Sequence, residues 1–337
     1  MRLGQVLKAS GGQACVPEYD MSYAPAHAGR LHPEEQLAFA TVFALMAGFV
    51  VIITMFAVRS PGSLLVGPSA IAGTQTVSVG TGGVTRQPSP PAADSVAIGP
   101  ASARLNASLA VAMGTVLRAH PGQLAVGVID VTTGQQALYG ATRHFTSGSV
   151  VTADILATLL IRQQHTSAPV TSEQAALATA MMHNGSNMAA TSLWRAVGGA
   201  NGLAAANRLL ELKQTVPGAG DRWDQTTTTV RDQLQLLIDL TSARSPLTAA
   251  GRDLVLRLMS SGGTQPGWGV SAAGIGKGVQ NGWLPVGKLW VANSIGVVAH
   301  GGHVLLVAVL SGGSASRLAG ISLASAAAVA AVEAISP

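Results

Sequence analysis

His144-Phe145-Thr146-Ser147-Gly148-Ser149-Val150-Val151-Thr152-Ala153-Asp154-Ile155-Leu156-Ala157-Thr158-Leu159-Leu160 is the stretch that decides the fold. Small polar residues run into Ser149. Val150, Ile155, Leu156, Leu159 and Leu160 then recur at helical spacing, which predicts a buried helix with Ser149 in its first turn. A serine there has two uses. It can cap the helix by accepting backbone N–H groups, or it can present its hydroxyl at the positive end of the helix dipole. One turn later stands Thr152, a residue with neither a charge nor a base.

The 337 residues suffice for one large domain or two ordinary ones, and 48% hydrophobic content supplies a core. The net charge of +5 comes from scattered Lys and Arg with few acids. No basic cluster is interleaved with aromatics, so nucleic acid is excluded as a partner. Cys15 is the single cysteine, which rules out an intrachain disulfide and a cysteine metal site. His300-Gly301-Gly302-His303 reads as a hairpin turn between apolar strands rather than a metal pair. No metal or cofactor site is predicted.

Upstream of the Ser149 stretch the composition changes twice. Residues 1–36 mix Gly, Pro and charge without periodicity and read as a disordered tail. Leu37 to Val58 is 22 residues without a charge. At 1.5 Å per residue it reaches about 33 Å, enough for a lipid bilayer's hydrocarbon core. It is read as a retained, single-pass signal anchor, because it begins too far from Met1 for a cleaved signal peptide. Arg30 and Arg59 flank it, so charge does not orient it. Residues 59–100 are rich in Pro, Gly and Ser and read as a tether that spans about 35 Å as a coil.

The folded domain is assigned to residues 101–337. A helix over 102–119 is followed by a hairpin, Leu124–Asp130 with Gln136–Tyr139. Helical patterns after the Ser149 helix cover 171–183, 187–197, 201–212, 229–243 and 248–260. Strands return at 278–284, 288–299 and 303–311, and Ser316 to Ile335 closes with a helix. This order predicts an α/β sandwich (α+β), an antiparallel sheet flanked by helices with an added helical subdomain.

With these elements in place, several segments resemble the serine β-lactamase and penicillin-binding protein superfamily, and most nearly its class A β-lactamase-like domains. They are Ser149-Val150-Val151-Thr152; Asn184-Gly185-Ser186-Asn187 with Trp194 and Gly198-Gly199; Gln280-Asn281-Gly282-Trp283; and Asn293-Ser294-Ile295-Gly296. The resemblance covers residues 102–335. It implies a bacterial origin, a β-lactamase/transpeptidase-like fold and a cleft built from three motifs.

In Ser-x-x-Lys the lysine activates the nucleophile; Ser149 matches the serine, and Thr152 replaces the lysine. In Ser-Asp-Asn the aligned residues are Gly185, Ser186 and Asn187, so the relay hydroxyl is lost and Asn187 matches. In Lys-Thr-Gly the lysine attracts the substrate carboxylate; Gln280-Asn281-Gly282 keeps only the glycine. The resemblance thus makes Ser149 a vestigial nucleophile and places Thr152, Ser186, Asn187, Gln280, Asn281 and Gly282 around it. A deacylating glutamate is expected between Leu212 and Thr229, where only Asp221 and Asp224 occur beside Trp223. His144 and His183 are the nearby imidazoles, without an acid placed to orient them.

The expectation is therefore a pseudoenzyme. It is anchored in the cell membrane through residues 37–58, with its C-terminal domain extracytoplasmic, and it binds a cell-wall peptide or an envelope protein. Two alternatives remain, a serine hydrolase acylated slowly at Ser149 and a structural membrane scaffold.

Overall fold

The computed structural model describes residues 103–260 and 267–335; the tail, span and linker expected over residues 1–100 lie outside them. The chain begins with α1 (Ala103–Ala119), β1 (Gln123–Asp130) and β2 (Gln136–Tyr139). A two-residue strand β3 (Phe145–Thr146) leads into a 3-10 turn, Gly148–Val150, and then α2 (Val151–Thr166). Helices α3 (Ser172–Asn184), α4 (Asn187–Ala196) and α5 (Gly199–Leu209) follow. A 3-10 turn at Trp223–Gln225 and β4 (Thr227–Thr228) precede α6 (Val230–Thr241) and α7 (Ala249–Ser260). A 3-10 segment, Gly269–Ala273, then opens β5 (Ile275–Val286), β6 (Leu289–His300), β7 (His303–Gly312) and α8 (Arg317–Ile335).

The main sheet is antiparallel and five-stranded, in the order β2-β1-β7-β6-β5. Both faces are covered, and strand alternation sorts the side chains between them. Leu306, Ala308 and Leu310 of β7 join a core with α2 to α7, while Leu305, Val307 and Val309 join one with α1 and α8. That double burial is why the central strands read as unbroken apolar runs.

The α2 helix is buried on every side from Val151 to Ile161, as expected of a helix enclosed by its neighbours. It carries Thr152, Asp154 and Thr158 into the interior, so each needs a polar partner there. α8 is long and apolar enough to cross a membrane, yet Leu323, Ala324, Ala327, Ala328 and Ala331 are fully buried in the core shared with the sheet. The β6–β7 turn is the hairpin expected at His300–His303, with Gly301 at φ 54° and Gly302 at φ 85°. Its imidazole Nδ1 atoms are separately engaged, His300 with Ala273 O at 2.9 Å and His303 with Asp130 Oδ2 at 2.8 Å.

Candidate functional site

Ser149 does not cap α2. It lies in the 3-10 turn ahead of the helix, and its hydroxyl makes no hydrogen bond among the described residues. The turn is held from two sides. Asn293, fully buried on β6, donates its amide to Thr146 O at 2.8 Å and Ser147 O at 2.9 Å, and accepts Ser311 N–H at 2.9 Å. From the sheet edge, Gly282 of β5 presses on the turn so closely that a Cβ there would lie 2.5 Å from Ser149 N and 2.6 Å from Val150 N. Only glycine permits that approach.

Thr152 and Gln280, which the sequence reading aligns with the family's two lysines, both reach one acceptor. The Thr152 hydroxyl donates to Ser149 O at 2.7 Å, and Gln280 Nε2 donates to the same oxygen at 3.3 Å. A threonine hydroxyl is too weak a base to take the Ser149 proton near neutral pH.

The second motif lies at the junction of α3 and α4. Gly185 ends α3 in the left-handed region at φ 61°, with nothing within 4 Å of the place a Cβ would occupy. Ser186 is the N-cap of α4, its hydroxyl accepting Ala189 N–H at 3.3 Å. Asn187 begins the helix exposed.

These residues border one cleft of about 460 Å³, which Ser149, Thr152, Ser186, Asn187, Gln280, Asn281 and Gly282 all line. The Asn281 side chain is committed elsewhere, accepting Ser294 Oγ–H at 2.6 Å and donating to Trp268 O at 3.3 Å. Strand parity explains it. Gln280 and Gly282 share the face toward Ser149, and Asn281 points from the other.

The wall opposite β5 includes Trp223 and Asp224. Their segment reaches the cleft because β3 pairs with β4 (Phe145 with Thr228, Thr146 with Thr227), and Ser147 N–H donates to Thr226 O at 2.7 Å. Trp223 Nε1 donates to Thr191 Oγ1 at 3.0 Å, and Trp194 Nε1 donates to Gly220 O at 2.8 Å. Asp221, the other acid of this segment, pairs with Arg195 on the surface. His183 also lines the cleft, whereas His144 does not. No Lys or Arg among the described residues lines it.

Behind the cleft lies a second polar group. Burial pushes the Asp154 carboxyl up to about 7; Asn207 and Thr158 oppose the shift from the margin of hydrogen-bond reach, and the charge of Asp232 adds to it. Asp232 is also raised, chiefly by burial, although its carboxylate accepts Gln214 N–H at 2.8 Å and the Thr215 hydroxyl at 2.7 Å. The described residues hold no group of three or more His, Cys, Asp or Glu placed for a metal ion.

A two-faced sandwich with a serine turn wedged against its edge strand defines the class of the serine acyl-transfer fold. The model of the beta-lactamase enzyme family matches residues 161–335, more than half the chain, and the chain belongs to that family. The matched stretch contains the second and third motifs and begins after the Ser149 turn. No curated protein matches. Among solved structures, a β-lactamase from Xanthomonas campestris is 20% identical with a TM-score of 0.58, covering 69% of this chain and 99% of its own. A putative class A β-lactamase, PenP, from Rhodopseudomonas palustris is 22% identical with a TM-score of 0.58, covering 68% and 100%. A class A β-lactamase from Mycobacterium abscessus is 18% identical with a TM-score of 0.58, covering 67% and 98%. At these identities the likeness is one of fold.

Proposed function

We propose that this chain is a membrane-anchored pseudoenzyme whose β-lactamase-like domain binds an envelope ligand, a cell-wall peptide or a protein partner, without turning it over. One observation carries the reading. The side chains in place of both family lysines are neutral, and both donate to the main-chain oxygen of Ser149. That arrangement fills both positions with neutral donors and leaves out the proton acceptor and the cation that the family's lysines supply. The uncharged run of residues 37–58 is the proposed anchor, and the family's usual cell-wall target supports a domain outside the membrane. An open cleft of about 460 Å³ supports a binding role over a purely structural one.

Slow acylation is the second reading, and the half-exposed Ser149 hydroxyl, free of hydrogen bonds among the described residues, favours it. Steady-state hydrolysis of a chromogenic cephalosporin separates the readings. The proposal expects rates equal to those of Ser149→Ala and of buffer; a Ser149-dependent rate would establish the hydrolase.

A further inference from the structure

We propose that the cleft selects a peptide side chain with a free ammonium group on an aliphatic stem, and that Asp224 is its counter-ion. The inference rests on the cleft being a ligand site and adds the charge of what enters it.

Asp224 lies in the 3-10 turn Trp223–Gln225, half-buried and facing the cleft. Its neighbours in the chain are accounted for. Asp221 pairs with Arg195, and the Trp223 indole bonds Thr191. The Asp224 carboxylate makes no ion pair or hydrogen bond among the described residues. A carboxylate that no side chain of the protein engages is open to pair with a cation that arrives with the ligand. Among the described residues no Lys or Arg lines the cleft to supply one, and His183 is its one imidazole. Arg317 lies over the Trp283 ring at 4.9 Å and is not part of the lining.

The remaining surface suits the stem of such a side chain. Met181, Met182 and Trp283 give the cleft apolar wall for methylene groups, while Asn187 offers its amide and Gln280 its amide oxygen to a peptide backbone. A ligand carboxylate, by contrast, meets Asp224 and finds no Lys or Arg among the described lining residues. The cleft thus favours the charge opposite to the anion that the family's third-motif lysine attracts.

The test uses the full-length chain and three blocked tripeptides that differ only in the central residue, lysine, norleucine or glutamate. Binding is read by calorimetry and by the fluorescence of the cleft indoles. The lysine peptide is expected to bind about tenfold tighter than the norleucine peptide. That preference should shrink with added salt and vanish in Asp224→Asn, whose fold is checked by circular dichroism. Equal binding of the lysine and norleucine peptides, or tighter binding of the glutamate peptide, overturns the charge inference and leaves the ligand cleft standing. Binding of none of the three overturns both.

Discussion

Thr152 donates its one hydroxyl proton to the carbonyl of Ser149, a bond back to the turn that carries the serine. The sequence announced the substitution; it did not say where the hydroxyl would go. Two further side chains illustrate the same boundary. The loss of the family's relay hydroxyl at Gly185 was readable from the motif, but the commitment of Asn281 to Ser294 depends on which face of β5 it occupies. Asp224 was visible as an acid between Leu212 and Thr229. Its arrival in the cleft follows from a pairing between residues about 80 positions apart, which no local pattern encodes.

The residue scale also yields a pH prediction. The folded-state pKa of Asp154 is raised from 3.8 to about 7, so the native state holds that proton more tightly than the unfolded chain. The stability this proton confers is complete below the unfolded value and is lost as pH rises from about 4 to about 7. Asp154→Asn keeps the shape and removes the titration. Denaturant melts should show the variant gaining on the wild type across that window, by on the order of 3 kcal/mol. A constant difference between the two would show that Asp154 is not a buried neutral acid.

At the scale of elements, periodicity located every α-helix and all strands of the main sheet among the described residues, with ends displaced by a few residues. What it missed were β3, β4 and the 3-10 turns. Two-residue strands have no period, and a 3-10 turn has no face to mark. Yet those short pieces position the Ser149 turn, with Asn293 as the clamp between β6 and that turn. Asn293→Ala leaves the carbonyls of Thr146 and Ser147 without this donor and is expected to cost about 2–4 kcal/mol in denaturant unfolding. Asn293→Asp, which turns acceptors toward both carbonyls, should cost at least as much; a loss under 0.5 kcal/mol for both would remove the clamp from the account. Gly282→Ala forces a methyl against Ser149 N and should lower stability by about 1–3 kcal/mol, read as a shifted urea midpoint.

At the scale of the molecule, membership of the β-lactamase enzyme family is shown by the family match, while the anchor and compartment are proposals that rest on sequence. They make their own prediction. The full chain should remain with membranes after an alkaline carbonate wash, and deletion of residues 37–58 should release it. Extraction of the intact chain by carbonate alone would refute the anchor.

The central claim, that Ser149 sits in an intact fold with no means of being activated, is met most directly by intact-mass spectrometry of the protein after prolonged incubation with a penicillin. The account predicts an unchanged mass for the wild type, the same as for Ser149→Ala. A mass increase equal to the whole penicillin, present in the wild type and absent from Ser149→Ala, would contradict it and make this protein a slow acylating enzyme.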